Sequence, residues 1–249
     1  MNLEQAINIE DVALGIGAPP DATGWIVGLL QASDSFYPTG SYAHSFGLEG
    51  LVQENVVRDR ATLREFILQS VLPSLQRVEL PLAAHAWQAF GTRDWESIAE
   101  LCRLSSALKA AQELRTASAN IGRQRAELLA LLRPPTLAEE YLCRARQADW
   151  PFSSAISAAL EGRVLGAPQV AVLAGLYYAS IASLLSAAMK VLRLGQNAAQ
   201  LLLTETLAAA SKVIAASMKV PVDEIGWFNP WLDIAAARHE TADARMFIS

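Results

Sequence analysis

The stretch VLGAPQVAVLAGLYYASIASLLSAAM, residues 164–189, decides the fold. Its 26 positions carry no charge, and a helix needs only about 20 apolar residues to cross a bilayer. Against that reading, Pro168, Gln169, Ser180, Ser183 and Ser186 interrupt the run. Small residues recur at every fourth position as Ala171, Gly175, Ala179, Ser183 and Ala187, beside a bulky row of Leu173, Tyr177, Ile181, Leu185 and Met189. Side chains four apart stack on one helix face, so one side admits a close neighbour and the other fills space. A helix apolar all round is buried in a bilayer or in a large core. A single such segment with two distinct ridges predicts the central helix of a core, with no membrane as partner.

Composition agrees. The chain has 249 residues, 52% hydrophobic and 18% charged, enough for one large core. A formal net charge of −5 and a pI near 5.3 exclude a long phosphate-neutralising track, which needs clustered Lys and Arg, so no nucleic acid is expected. Two cysteines, Cys102 and Cys143, and an opening without a basic then apolar export pattern predict a cytoplasmic protein with free thiols.

Outward from residue 164 the pattern is helical in both directions, with Pro and Gly as punctuation. Pro168 suits a first turn and Gly195 an end, giving a helix over 168–193, flanked by others near 153–165 and 197–218. Thr136-x-x-Glu139 forms a capping box, and Pro134-Pro135 ends a long Ala-rich helix that starts at Ser106. Trp95, Ile98 and Leu101 mark another helix, and Gly91 closes the section before it. Leu63, Phe66, Ile67 and Val71 share a face, with Pro73 and Pro81 as starts or kinks in the pair beyond. Leu48 and Leu51 follow a turn at Pro38-Thr39-Gly40, which breaks a short helix carrying Trp25, Ile26, Leu29 and Leu30. Asn229-Pro230 reads as cap and first turn of a last helix. The expectation is all-α: one globular domain of nine or ten helices over 21–240, a flexible leader over 1–20 and a tail over 241–249.

Three chemistries compete within that frame. Ala43-His44-Ser45-Phe46-Gly47 is one residue from the G-x-S-x-G nucleophile elbow, and Ser45, Asp233 and His239 follow the α/β-hydrolase order. A serine hydrolase is therefore the enzyme-class alternative, although no apolar strand precedes Ser45. The three histidines, His44, His85 and His239, share no metal-ligand spacing, and Cys102 and Cys143 stand alone, so no metal or cofactor is expected to be bound stably. His85 reads as a packed or half-buried core histidine. Gly15-Ile16-Gly17 lacks the strand before and the Lys-Ser/Thr after that a phosphate loop requires.

The cluster SDSFYPTGSYAHSFGLE, residues 33–49, is rich in capping and turn residues. Leu29-Leu30-Gln31-Ala32-Ser33-Asp34-Ser35, Pro38-Thr39-Gly40, His44-Ser45 and Gly47-Leu48-Glu49 resemble the opening of the UreF family of urease accessory proteins. Glu113-Leu114-Arg115 with Gly122-Arg123 resembles its middle. The run from Ser186 to Gln196 is similar to its "SAxxKxxxLGQ" block, and Arg238-His239-Glu240 with Arg245-Met246-Phe247-Ile248-Ser249 to its terminus. Two departures stand out: Asp149-Trp150-Pro151-Phe152-Ser153 has no histidine where the family often carries one, and Met-Phe-Ile-Ser lacks the common basic residue.

The resemblance implies an all-α protein without catalytic activity. It implies a homodimer that binds UreD/UreH and recruits the GTPase UreG, so that GTP hydrolysis is coupled to nickel delivery into apo-urease, the nickel being handled transiently by the complex. The residues it ties to partners are Ser33, Asp34, Ser35, Pro38, Gly40, His44, Glu49, Arg115, Lys190, Gln196, Arg238, His239, Glu240, Arg245 and Phe247. A helical dimeric scaffold unrelated to urease is the second alternative.

Overall fold

The computed structural model describes residues 22–34, 36–40, 47–134 and 137–230. The expectations for the leader, Ser35, His44, Ser45, Thr136, the end of the last helix and the tail fall outside those residues. Among the described residues there are helices and no strands. The fold is all-α, and the parallel sheet on which a nucleophile elbow stands has no counterpart among them.

The first helices are α1 (Ala22–Ser33), α2 (Leu48–Gln53) and α3 (Arg60–Phe66). A capping box of Asp59 with Thr62 starts α3: Thr62 N donates to Asp59 Oδ1 at 2.9 Å, and Asp59 N donates back to Thr62 Oγ1 at 3.1 Å. Helix continues from there to Thr92 through α4 (Leu72–Ser74) and α5 (Leu80–Thr92), with π-helical turns at Ile67–Val71 and Leu75–Glu79. Pro73 and Pro81 each take the second position of a helical segment, α4 and α5, as expected of starts, and the helical path continues through both. A proline has no N–H for the carbonyl four residues back, and its ring crowds that carbonyl. Here the widened turn just before each ring relieves the crowding, with Leu72 N bonding to Ile67 O and Leu80 N to Leu75 O.

Gly91 differs from expectation. It lies inside α5, where an added Cβ would meet the Arg163 guanidinium, and the helix stops only at Arg93, in the left-handed region at φ 55°. Gly91 is thus a close-approach site, not a terminator. Asp94 starts α6 (Trp95–Ala107) by accepting from Ser97 N at 3.1 Å. The expected helix from Ser106 begins later, as α7 (Gln112–Leu132), because residues 108–111 form a corner.

The remaining helices are α8 (Leu137–Gln147), α9 (Ser154–Leu165), α10 (Gln169–Val191), α11 (Gln196–Leu207) and α12 (Ala210–Ser217). The span expected as 197–218 is two helices bent by 47°. The 26-residue run is divided between the end of α9 and α10, and the bulky row of α10 faces inward as predicted, with Leu173, Tyr177, Ile181 and Leu185 buried. α10 is the one helix among the described residues long and apolar enough to span a membrane, and it packs against α1, α5, α9, α11 and α12.

The most enclosed helix is α9. All eight residues from Ala155 to Gly162 are buried, and α5 and α7 are its main neighbours. Its small side chains allow that approach, and Val172 of α10 occupies the space a Cβ on Gly162 would need. An aromatic chain continues the core: Phe90 and Tyr141 stack edge-on at 5.6 Å, and Tyr141 and Phe152 at 5.7 Å, each pair adding about 1 kcal/mol beyond its burial. His85 sits as expected, its Nε2 2.8 Å from Val220 O.

Candidate partner-docking site at the turn after α1

Ser33 ends α1, and the next residues make a tight knot. Asp34 Oδ1 accepts from Phe36 N at 2.7 Å, Tyr37 N donates to Asp34 O at 3.1 Å, and Thr39 N donates to Tyr37 O at 2.8 Å. Gly40 completes the turn at φ 75°, a conformation that glycine adopts without the Cβ clash. Phe36 and Pro38 point to solvent, Phe36 being 94% exposed, whereas Tyr37 and Thr39 are buried.

Tyr37 is the anchor. Its hydroxyl donates to Glu161, and Arg125 Nη1 donates to the other oxygen of the same carboxylate. The Arg125 guanidinium also lies 5.6 Å from the centre of the Tyr37 ring. Glu161 is 3% exposed, in the middle of α9. An isolated carboxylate there would carry a large desolvation cost; the cation and the hydroxyl offset it. Burial, and then the negative charge of Glu161, push the Tyr37 phenol well above its ordinary range, so it remains a donor. The external turn is thereby tied through a buried ion pair to α7 and α9.

Beside the turn lies a cavity of about 200 Å³. Ser33 and Asp34 border it on one side, Leu114, Ile121 and Arg125 of α7 on another, and Leu176, Ala179 and Ser183 of α10 on a third. It exists because the α10 residues Ala179 and Ser183 facing it are small; Gly175 is not what brings α1 close, since an added Cβ there would lie at an ordinary 3.6 Å from Ser33 Oγ. At the rim Lys109 Nζ pairs with Glu79 at 3.0 Å, both side chains largely buried.

The predicted residues divide into two groups. Ser33, Asp34, Pro38 and Gly40 form the turn, whereas Arg115 donates from Nη1 to Lys109 O at 2.7 Å and to Ala110 O at 2.5 Å. That clamp closes the corner before α7. Glu49 is buried in the first turn of α2, which Gly47 enters at φ 76°. Lys190, in the last turn of α10, and Gln196, opening α11, are exposed elsewhere. Fifteen residues of helix, about 22 Å, separate Lys190 from Gly175. Ser35, His44, Arg238, His239, Glu240, Arg245 and Phe247 lie outside the described residues.

Sequence reasoning passed over Tyr37, Arg125 and Glu161. The signal was present: Glu161 is the only acid between Trp150 and Val191, and an acid set in a small-residue apolar helix needs a buried partner.

Comparison with known proteins adds the decisive observation: the UreF family model matches residues 57–207. The chain belongs to the UreF family. A urease accessory protein UreF of Azoarcus sp. (strain BH72) is 33% identical over 225 residues, which is 90% of this chain and 95% of that relative. The UreF of Bacillus sp. (strain TB-90) is 27% identical over 224 residues, 90% of this chain and 99% of its own length. That of Arthrobacter sp. (strain FB24) is 28% identical over 228 residues, 92% and 99% respectively. These alignments cover nearly the whole of each relative. The family model itself runs from Val57, just before α3, to Leu207 at the end of α11, and so includes Arg125 and Glu161.

Proposed function

We propose that this UreF-family chain is a non-catalytic urease maturation factor. In this reading it is a helical adaptor, homodimeric and cytoplasmic, that binds UreD/UreH and recruits the GTPase UreG. GTP hydrolysis on UreG is then coupled to nickel insertion into apo-urease, nickel being the cargo of the assembly. The observation that carries the proposal is the family match, with relatives named as urease accessory proteins aligned over nine-tenths of the chain.

The geometry supports an adaptor. Polar groups of the turn are engaged in shaping it: Asp34 holds Phe36 N, and Tyr37 holds Glu161. Phe36 and Pro38 are left facing outward on a braced backbone, and an aromatic side chain on a preorganised loop suits protein recognition. Lys190 and Gln196 would make a second contact, at the far end of α10. The tail carrying Arg245 and Phe247 would make a third.

The test is urease activity and urease-bound nickel in cells lacking the gene, complemented with wild type or with Ser45→Ala. Apo-urease in the deletion, and full rescue by both forms, is the expected result. Normal nickel loading in the deletion would overturn the reading, and failure of Ser45→Ala alone would reopen the hydrolase. Pull-down of UreD/UreH should weaken with Arg245→Ala and Phe247→Ala at unchanged melting temperature.

A further inference from the structure

We propose that the open pocket where α5 and α9 end and α8 begins binds a phosphorylated small molecule, its phosphoryl group held by Arg163 and Arg93. The pocket shares no lining residue with the cavity beside the turn after α1, and the proposal does not depend on the urease reading.

The pocket measures about 450 Å³, and its lining includes Gly91 and Arg93 at the end of α5, Leu137 at the start of α8, and Arg163 and Val164 near the end of α9. Ligand pockets commonly measure about 300–1,000 Å³, so this volume suits a small organic molecule better than a bare ion.

Arg163 is built into place. Trp87 and Gly91, four apart on α5, share a face. The guanidinium carbon of Arg163 lies 4.2 Å from the centre of the Trp87 ring, and one turn on, a Cβ added to Gly91 would stand 2.8 Å from that same carbon. Trp87 is held in turn, donating from Nε1 to Ala167 O at 3.2 Å. Ala167 belongs to the cap of α9: Gly166 N donates to Arg163 O at 3.1 Å and Ala167 N to Gly162 O at 2.9 Å. Indole stacking and the cap together position the guanidinium, and a fork fixed before the ligand arrives loses little freedom on binding it.

The fork lacks a counter-ion. Among the described residues Arg163 has no ion pair and no side-chain hydrogen bond, its charge resting on the Trp87 ring alone, and none of those lining the pocket is an acid. Arg93 pairs with Glu140 only at 3.8 Å, and Arg144 engages that acid more closely, at 3.2 Å. The helix ends do not reverse the sign. About half a negative charge at the ends of α5 and α9, and about half a positive charge at the start of α8, leave the two guanidinium charges in excess. Carboxylate and phosphate both fit the guanidinium edge in bidentate fashion. Two cations without an acid in the lining favour the group that carries close to two negative charges, the phosphoryl. Leu137 and Val164 offer apolar wall to the organic body.

The experiment titrates the full chain with phenyl phosphate at constant ionic strength in chloride, read by calorimetry and by the Nε–Hε NMR signal of Arg163. The expected result is saturable binding with a Kd below about 5 mM, at least about threefold tighter than inorganic phosphate. Arg163→Gln should weaken binding at least about tenfold, and Arg163→Lys, which keeps the charge but not the planar fork, nearly as much. Gly91→Ala, which displaces the guanidinium from Trp87, should weaken it about fivefold, and Arg60→Gln on α3 should change nothing. Should Arg163→Gln fail to fold, Arg93→Gln replaces it and should weaken binding about threefold. A Kd above about 5 mM, equal losses in Arg163→Gln and Arg60→Gln, benzoate binding as tightly as phenyl phosphate, or phenyl phosphate binding no tighter than inorganic phosphate would each overturn the proposal. The third would make this a carboxylate site, and the last a site for the bare ion. Nickel loading of urease is a separate readout, so any of these results leaves the maturation reading standing.

Discussion

Glu161→Ala tests the anchor of the turn. The carboxylate is 3% exposed and has two donors, the Tyr37 hydroxyl and Arg125 Nη1. Removing it leaves a guanidinium whose side chain is only 11% exposed without its counter-ion. One-sided removal from a buried pair costs about 3–5 kcal/mol. Loss of the charged acceptor for Tyr37 is worth about 1.5–3 kcal/mol, but the two effects share one group and do not add. The expected loss is about 4–5 kcal/mol by urea denaturation, or roughly 8–20 °C in Tm for a chain of this size. A double variant separates charge from packing. Arg125→Met with Glu161→Leu removes both charges, and such apolar replacement of a buried pair is often neutral or stabilising. The double variant should recover about 3 kcal/mol relative to Glu161→Ala, yet still leave Tyr37 without its acceptor, so amide exchange at Tyr37 and Thr39 should stay faster than in wild type. A loss under about 1 kcal/mol for Glu161→Ala, or a double variant no more stable than the single, would refute the reasoning.

Burial also makes the fold sensitive to alkali: the Cys102 thiol is pushed up to about 11 and the Tyr177 phenol to about 12. Both groups are neutral in the native state, so their stabilisation is full below the ordinary values of 9.0 and 10.0 and is lost as pH rises toward the shifted ones. The urea midpoint should therefore hold to about pH 8.5 and fall beyond pH 9, with a shallower fall above pH 10 for Tyr177→Phe. Two glycine substitutions should have opposite signs. A Cβ on Gly122 would lie 2.5 Å from the Ser153 carbonyl carbon and oxygen, and such overpacking costs about 1–3 kcal/mol or more. Gly175→Ala meets Ser33 Oγ at an ordinary 3.6 Å, and should stabilise by about 0.5–1 kcal/mol because alanine loses less entropy in a helix; differential scanning calorimetry reads both. Arg115→Ala should cost about 1 kcal/mol by opening the corner at Lys109 and Ala110. A larger loss of UreD/UreH binding than that destabilisation accounts for would give Arg115 a direct contact.

Periodicity revealed the helices because it records which face is apolar, and the bulky row of α10 went inward as its spacing required. The helix breaks were less legible. Pro73 and Pro81 do open helical segments, as their signal says, but the widened turns before them, which keep the helical path continuous, carry no comparable local signal. Gly91 reads as a stop in a one-dimensional pattern, while its reason lies 72 residues away in the Arg163 side chain. The turn residues Pro38, Thr39 and Gly40 were legible from their backbone preferences. The partners of Tyr37 were not, since Arg125 and Glu161 come from two helices whose relative rotation no local pattern encodes.

A core built for stability alone would not place Glu161 in its most enclosed helix. An apolar residue there would match Arg125 and Glu161 in stability once both were replaced, so their value must lie in what the pair specifies. It specifies the position of Tyr37, and through Tyr37 the outward direction of Phe36 and Pro38. A second polar contact fixes the other rim of the cavity: Ser70, within the widened turn before Pro73, holds Asn229 where the chain departs. The turn after α1 and the chain at Asn229 are thus both located by buried or half-buried polar bonds to core helices. The arrangement suits the adaptor role proposed above, because a docking surface held in place loses less ordering free energy at each encounter than a mobile one.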